Sequence, residues 1–375
     1  MTTEESFRAA RRAVDAGHWS ELPKLYREAH DDAKNDPRIK DMLALALFNL
    51  GNYAELLQIP GIDRSAKLCV LADDLRQNEL GRKHQLVDQG PPLGSAAYVA
   101  MIKDEDDVVW PNLLWHYSLG FRRFVLVDNG STDATRALIG RFAAAFADTT
   151  VIVIDDPVVG YLQAEFTTAA FRVACSLWPE VRWVFPVDAD EFLCAERPLE
   201  EILSGLPEET EGILLPKSQY LPIRDYYSTD PGAPFFHRIR HREPLSHKSF
   251  KVAVRSRVQY QIQQGNHGVT ADGQEIRGYV GGLGLGLHYR EFFLRSLDHT
   301  RKKVINGGRA IEAAEALGRK DIGGSHWKDW YGIYLREGEA GIRGIFESHF
   351  RDPSQLIFDP FPLDPVLGRW ESLCP

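Results

Sequence analysis

Cysteine is scarce in this chain, with residues only at 69, 175, 194 and 374 among 375, and no two of them form a C-x-x-C pair. That spacing excludes a cysteine zinc site and fits a reducing compartment. No uncharged apolar run approaches the ~18 residues that a membrane-spanning helix needs. The opening Met1-Thr2-Thr3-Glu4-Glu5-Ser6 lacks a basic stretch followed by an apolar one, so no signal peptide is expected. The expected location is the cytoplasm, free or peripheral to a membrane. Blocks of like charge are also missing: the net charge of -9 is spread along the chain, which argues against nonspecific nucleic-acid binding. With 44% hydrophobic and 26% charged residues, the composition is that of a globular protein with room for one large domain and a small one.

What the chain does have is an apolar strand that stops at carboxylates: Trp183-Val184-Phe185-Pro186-Val187-Asp188-Ala189-Asp190-Glu191-Phe192-Leu193. If strand geometry persists through the motif, Asp188 and Asp190 point the same way. Two like charges that close are costly unless a cation lies between them, and a hard divalent ion such as Mn²⁺ or Mg²⁺ with a phosphate-bearing substrate is the usual answer. An isolated D-x-D is ordinarily a pair of solvated turn residues. The place of this one, at the carboxyl end of a strand in an α/β pattern, favours a site.

Residues 1–92 read as a separate helical module. Apolar residues recur at helical spacing over 4–30 and 37–58, a polar helix is expected near 64–87, and Gly90-Pro91-Pro92 marks a linker. Ala16-Gly17-His18-Trp19-Ser20-Glu21-Leu22 is echoed by Leu50-Gly51-Asn52-Tyr53-Ala54-Glu55-Leu56, 34 residues on, a period that resembles the tetratricopeptide repeat. Such helices would bind a protein partner, form a dimer contact, or simply cap the next domain.

From residue 93 the texture alternates. Strands are expected at 96–102, 124–127, 151–154 and 183–187, with helices at 109–119, 134–146 and 162–177 between them. This rhythm implies right-handed crossovers and a mainly parallel sheet, whose loops gather at one edge. Further strands are expected around Leu214-Leu215-Pro216 and Lys251-Val252-Ala253-Val254.

Four ordered motifs then carry a resemblance: Ile102-Lys103-Asp104-Glu105, His116-Tyr117-Ser118-Leu119-Gly120-Phe121, Val127-Asp128-Asn129-Gly130-Ser131-Thr132-Asp133 and Val187-Asp188-Ala189-Asp190-Glu191-Phe192. Over 96–195 the chain resembles the family 2 glycosyltransferases of GT-A fold, in the branch that reads D-N-G-S-T-D and then D-A-D-E-F. The family usually has Asn-Glu where this chain has Asp104-Glu105. The resemblance implies a GT-A, Rossmann-like domain over 93–375, with a nucleotide-sugar half (96–195) and an acceptor half (196–375). It implies a metal-dependent, inverting transfer of a sugar from a UDP-, dTDP- or GDP-sugar to a hydroxyl of a glycan, small molecule or lipid-linked glycoside. Donor contacts would come from Lys103, Asp104, Glu105, Asp128, Asn129, Gly130, Asp133, Asp188 and Ala189, and the metal would sit on Asp188 and Asp190.

The second half supplies candidates of its own. His288 is the first choice for a third metal ligand and His267 the second. Arg290, Arg295, Lys302 and Lys303 are placed on a helix facing the diphosphate, Arg295 and Lys302 as donor-binding residues. Tyr220, Tyr226, Tyr227, Trp327, Trp330 and Tyr331 offer flat faces for an acceptor sugar. For the catalytic base, Asp225 and Glu191 rank first, ahead of Glu243 and His267. The run Gly281-Gly282-Leu283-Gly284-Leu285-Gly286 opens no βαβ unit and is not a dinucleotide site. Two other readings stay open. One is a scaffold whose helical repeats do the work. The other is a nucleotidyltransferase, which would need a Gly-rich, Lys-bearing loop where this chain is acidic.

Overall fold

The computed structural model describes residues 2–158, 160, 162–224, 233–316, 318 and 324–374. Asp225, Tyr226 and Tyr227 lie outside them. The chain opens with the helices α1 (Thr3–Asp15), α2 (Leu22–Glu28), α3 (Asp31–Asn35), α4 (Pro37–Asn49), α5 (Tyr53–Leu56) and α6 (Lys67–Gln77). The echo at an offset of 34 is one helix ending used twice. His18 N–H donates to Ala13 O and Gly17 N–H to Val14 O, just as Asn52 donates to Leu47 O and Gly51 to Phe48 O. This closure needs a left-handed residue after the helix, and Gly17 (φ 69°) and Gly51 (φ 74°) supply it. The polar helix expected over 64–87 is shorter, because the chain turns extended at Asn78 and residues 78–95 run on without regular structure.

An alternating segment follows: β1 (Ala96–Ile102), α7 (Val109–Ser118), β2 (Arg123–Asp128), α8 (Thr135–Ala145), β3 (Thr150–Asp155), α9 (Gln163–Leu177) and β4 (Trp183–Pro186). Its four strands pair in parallel in the order β3-β2-β1-β4. The second half adds β5 (Glu191–Ala195), β6 (Gly212–Leu221), β7 (Ser246–Arg255) and β8 (Leu287–Glu291). β7 pairs antiparallel with both β4 and β6, and β8 lies parallel to β6 and antiparallel to β5. The result is the α/β class expected from the sequence, with a mostly parallel centre that becomes mixed beyond β4.

Alternation along the buried strands separates two cores. Tyr98, Ala100, Phe124 and Leu126 face α7 and α8, while Ala97, Val99, Val125 and Val127 face α9. Leu43, Leu47, Leu71 and Leu75 of α4 and α6 belong to that second core, so the helical segment is packed onto the sheet. Three helices follow β8, α10 (Leu297–Ala316), α11 (Ser325–Glu337) and α12 (Glu339–Glu347), before a C-terminal stretch with a short strand at Ile357–Phe358 and a helix at Asp364–Arg369. Arg290 therefore stands on β8 and Arg295 in the connection after it, not on the expected basic helix; Lys302 and Lys303 are on α10. Among the described residues, no helix is long and apolar enough to cross a membrane.

Candidate functional site

A cavity of about 360 Å³ opens where β1 and β4 end, under α10. Its walls include Lys103, Asp104 and Glu105 after β1, Asn129 after β2, and Asp188, Ala189 and Asp190 after β4. From the second half come Lys217, Lys251, His267, Glu291, Lys302 and Lys303.

Strand geometry does not persist through the carboxylate motif. Pro186 ends β4, and Val187–Asp190 form a tight turn in which Glu191 N–H donates to Asp188 O at 2.9 Å. Asp188 Oδ1 accepts from Gln163 Nε2 (2.8 Å) and Asn266 Nδ2 (3.0 Å), and its Oδ2 from Lys251 Nζ (2.5 Å). Asp190 is buried; its Oδ2 accepts from Lys303 Nζ and lies 4.0 Å from Arg295. Burial alone would raise the Asp190 pKa, but Lys303 and Arg295 outweigh it and hold the carboxyl near 2. Burial likewise works against the charge on Lys303, yet Asp190 and Glu105 keep its pKa above the usual lysine value.

Glu191 is entirely buried and does not line the cavity, so it cannot meet a substrate hydroxyl as a base. It lies between Lys217 (3.3 Å) and Lys251 (3.1 Å), and burial lifts its pKa to about 7. Its apolar setting on β5 explains the inward direction. The other base candidate, Asp225, lies outside the described residues.

The loops after β1 and β2 are stitched to each other. Asp104, at φ 51°, accepts from Thr132 N–H (2.6 Å) and Asn306 Nδ2 (2.7 Å) and donates its own N–H to Ser131 Oγ (3.0 Å). Lys103 Nζ donates to the carbonyls of Asn129 and Gly130, both at 2.9 Å. Asp128 is buried away from the cavity and accepts from Ser131 N–H at 3.0 Å, folding the turn. Asp133 accepts from Thr135 N–H at the start of α8 and from Lys302 at 2.8 Å; despite some burial, Lys302 and Thr135 pull its pKa to about 2. Gly130 forms the same turn, and neither it nor Asp133 lines the cavity. These positions hold the loop, and Lys103, Asp104, Glu105 and Asn129 present it.

Arg295 is not available to a ligand. It is fully buried, donates to both oxygens of Asp107 (2.7 and 2.8 Å), to Phe292 O (3.0 Å) and to Glu105. Glu105, Asp107 and His299 place ligand atoms within 4.8 Å of one another, a grouping that could hold a metal ion. The Arg295 guanidinium already donates to both carboxylates there.

His288 is not brought to Asp188 and Asp190 either. It is buried on β8 opposite Cys194, with Nε2 accepting from Arg290 (3.1 Å) and the ring 4.2 Å from that of His84. Arg290 is also committed, to Asp359 at 2.7 Å. His267 does line the cavity with Asp188 and Asp190. Its Nδ1 pairs with Phe250 O at 2.6 Å, and desolvation with the nearby Lys251 charge pushes its pKa down to about 4. The imidazole is thus neutral, with Nε2 carrying the lone pair, the state a metal ligand requires. Two carboxylates and this nitrogen are ligands of the kind a hard divalent cation takes, but their ligand atoms do not all lie within 4.8 Å of one another, so a bound ion would have to draw them together.

Of the aromatic candidates, Tyr220 is core, stacked on Phe292 at 4.3 Å. Tyr331 packs against Gly308, and Trp327 lines the cavity. Sequence reasoning missed Lys217, Lys251, Glu291, Gln163 and Asn266. For the two lysines a signal existed: each interrupts an apolar strand, and a charge in a buried strand has to meet a partner. A register shift between Pro216 and Lys217 accompanies the turn of Lys217 into the site. Gln163 and Asn266 carried no such signal.

No protein-family model matches the chain, and no curated protein matches it. Among solved structures, the mannosyltransferase PcManGT from Pyrobaculum calidifontis, in complex with GDP-Man and Mn²⁺, aligns over 89% of this chain and 92% of its own, at 13% identity and a TM-score of 0.34. GalNAc-T7 with UDP, GalNAc and Mn²⁺ aligns over 84% of this chain and 63% of its own, at 12% identity and a TM-score of 0.30. Both of these structural neighbours are glycosyltransferases with bound Mn²⁺.

Proposed function

We propose that this chain is a glycosyltransferase that moves a sugar from a nucleotide-sugar to a hydroxyl acceptor, with inversion at the anomeric carbon. One observation carries the reading: four lysines, Lys217, Lys251, Lys302 and Lys303, converge with Asp188 and Asp190 on one cavity at the carboxyl ends of parallel strands. A diphosphate brings two or more negative charges, and a departing nucleoside diphosphate gathers more as its bond to the sugar breaks. Fixed cations aimed at that position lower the barrier without reorganising. The acidic side of the cavity would hold Mn²⁺ or Mg²⁺ through Asp188 and Asp190, with His267 as the third ligand. When bound, such an ion offsets leaving-group charge as a Lewis acid.

The chain's own residues divide the remaining work. The Lys103-Asp104-Glu105 loop and Asn129 present hydrogen-bonding groups at the strand ends, where a base and ribose would lie. Gln163 and Asn266 orient Asp188 through its Oδ1. A uridine, deoxythymidine or guanosine diphosphate sugar is compatible with this arrangement.

Isothermal titration of a panel of nucleoside diphosphates, with and without Mn²⁺, tests the reading on the wild type and on Asp190→Asn. Binding of one nucleotide that strengthens with Mn²⁺ and weakens at least tenfold in the variant is the expected result. Absence of binding under every condition would overturn it and return attention to the helical segment as a partner-binding scaffold.

A further inference from the structure

A second cavity, of about 380 Å³, adjoins the first and shares Lys217, Glu291, Phe293 and His326 with it. Its own wall is made by Gln219, Glu243, Trp330 and His349. We propose that this second cavity receives a carbohydrate acceptor, and that Glu291, at its junction with the first cavity, is the catalytic base that takes the acceptor's proton. The inference rests on the glycosyltransfer reading above and names its acceptor side.

Three features of the wall support a sugar. Trp330 is half-buried on α11, with its ring set between His349 (centroids 5.4 Å apart, 87°) and His326 (5.3 Å, 73°) and facing Phe293 at 6.2 Å. Such a cluster presents apolar faces to the C–H side of a pyranose, while imidazoles at its edges are within the chemistry of hydroxyl recognition. Gln219 and Glu243 add an amide and a carboxylate, so donors and acceptors are both present. The volume of about 380 Å³ also leaves room for a small saccharide.

Glu291 is placed by β8, which runs beside β5, so that Glu291 pairs with Glu191. The two side chains share one face and both meet Lys217, but Glu191 is fully buried beneath the site and lines neither cavity, whereas Glu291 lines both. Among the described residues, the one side-chain partner of Glu291 is Lys217, at 2.7 Å. In the transfer, a lone pair of the acceptor oxygen forms the new bond to the anomeric carbon. The bond from that carbon to the diphosphate oxygen breaks, its electron pair leaves with the diphosphate, and the acceptor's proton passes to the Glu291 carboxylate. Glu243 lines only the second cavity and is on this argument a binding residue.

The test joins a glycan array, probed with the full chain, to nucleotide titrations and to turnover with whichever nucleotide-sugar the panel supports. Trp330→Ala should weaken glycan binding about tenfold with nucleoside diphosphate affinity unchanged. Glu291→Gln should lower kcat by about 10²–10⁴-fold, the usual worth of a general base, with both affinities within threefold of the wild type. Glu291→Asp, which keeps the carboxylate, should recover part of kcat. Nucleotide binding with no glycan bound or glycosylated would overturn the carbohydrate acceptor and leave the transferase reading standing. Wild-type kcat in Glu291→Gln would overturn the base assignment, whereas failure to bind any nucleotide would remove the reading on which both depend.

Discussion

Replacing Arg295 by Met separates a structural cation from a ligand-binding one. The side chain is fully buried, and its guanidinium serves Glu105, both oxygens of Asp107 and the Phe292 carbonyl. Removing one partner of a buried ion pair typically costs about 3–5 kcal/mol, because the opposite charge is left without compensation. The Asp107 side chain is 37% exposed, and water would rescue part of its charge, so the lower end, about 3 kcal/mol, is expected. With a urea m-value of roughly 3 kcal/mol/M, that is a midpoint shift of about 1 M, read by tryptophan fluorescence. The pH dependence has a definite sign. Burial tends to raise the pKa of Glu105 and of Asp107, but Arg295 outweighs it and holds both below their usual values. A depressed carboxyl pKa stabilises the fold above the unfolded value near 4 and loses that contribution as pH falls. The gap between wild type and Arg295→Met should therefore be full at pH 7 and shrink as pH drops below about 4. An unchanged midpoint, with only nucleotide affinity lowered, would refute the cage and restore Arg295 as a donor contact.

Three further outcomes follow from the geometry. Asp74 is buried and accepts from the N–H groups of Leu283 and Gly284 at 2.8 Å; burial raises its pKa to about 6, so its own contribution to stability should fall by about 2–3 kcal/mol as pH rises from 4 to 7, read as the difference between wild type and Asp74→Asn in urea titrations across pH. A Cβ at Gly308 would strike the ring of Tyr331, and one at Gly307 would lie 2.8–3.0 Å from the Trp327 ring, so Gly308→Ala should destabilise α10–α11 packing by about 1–3 kcal/mol and weaken glycan binding before nucleotide binding. Mn²⁺ and a nucleoside diphosphate should bind with positive coupling, each raising the other's affinity by the same factor, about 5–150-fold; two titrations with independent affinities would count against a shared site.

The alternating strand-helix segment from β1 to β4 was legible because its information is local. β1, β2 and β4 are buried on both faces and read as continuous apolar runs, and the carboxylates that end them stand out against that background. The same locality is less telling at Asp128 and Asp133. Both end or follow a strand as donor contacts would, but three residues of chain suffice to fold them back onto Ser131 and Thr135 as turn acceptors. What stayed hidden joins residues far apart in sequence: Lys251 reaches Asp188 across 63 positions and Lys303 reaches Asp190 across 113. His288 looked suitable because it closes a glycine-rich strand, yet alternation along β8 sends it to His84 while Glu291, three residues on, faces the cavity.

The like-charge argument also has two solutions, and the fold contains the parts of both. Asp188 and Asp190 require positive charge nearby, and Lys251 and Lys303 provide it from within the chain. Those ammonium groups cannot at the same time be wholly committed to a diphosphate. A divalent cation on the two carboxylates would release the lysines toward the phosphates, so that each ligand completes the charge balance the other disturbs. A site of this kind tolerates being empty, because its charges are paired, and binds a cation and a dianion together more readily than either alone. That logic accounts for lysines and carboxylates lining one cavity together, where a metal site alone would need only the acids and an anion site alone only the lysines.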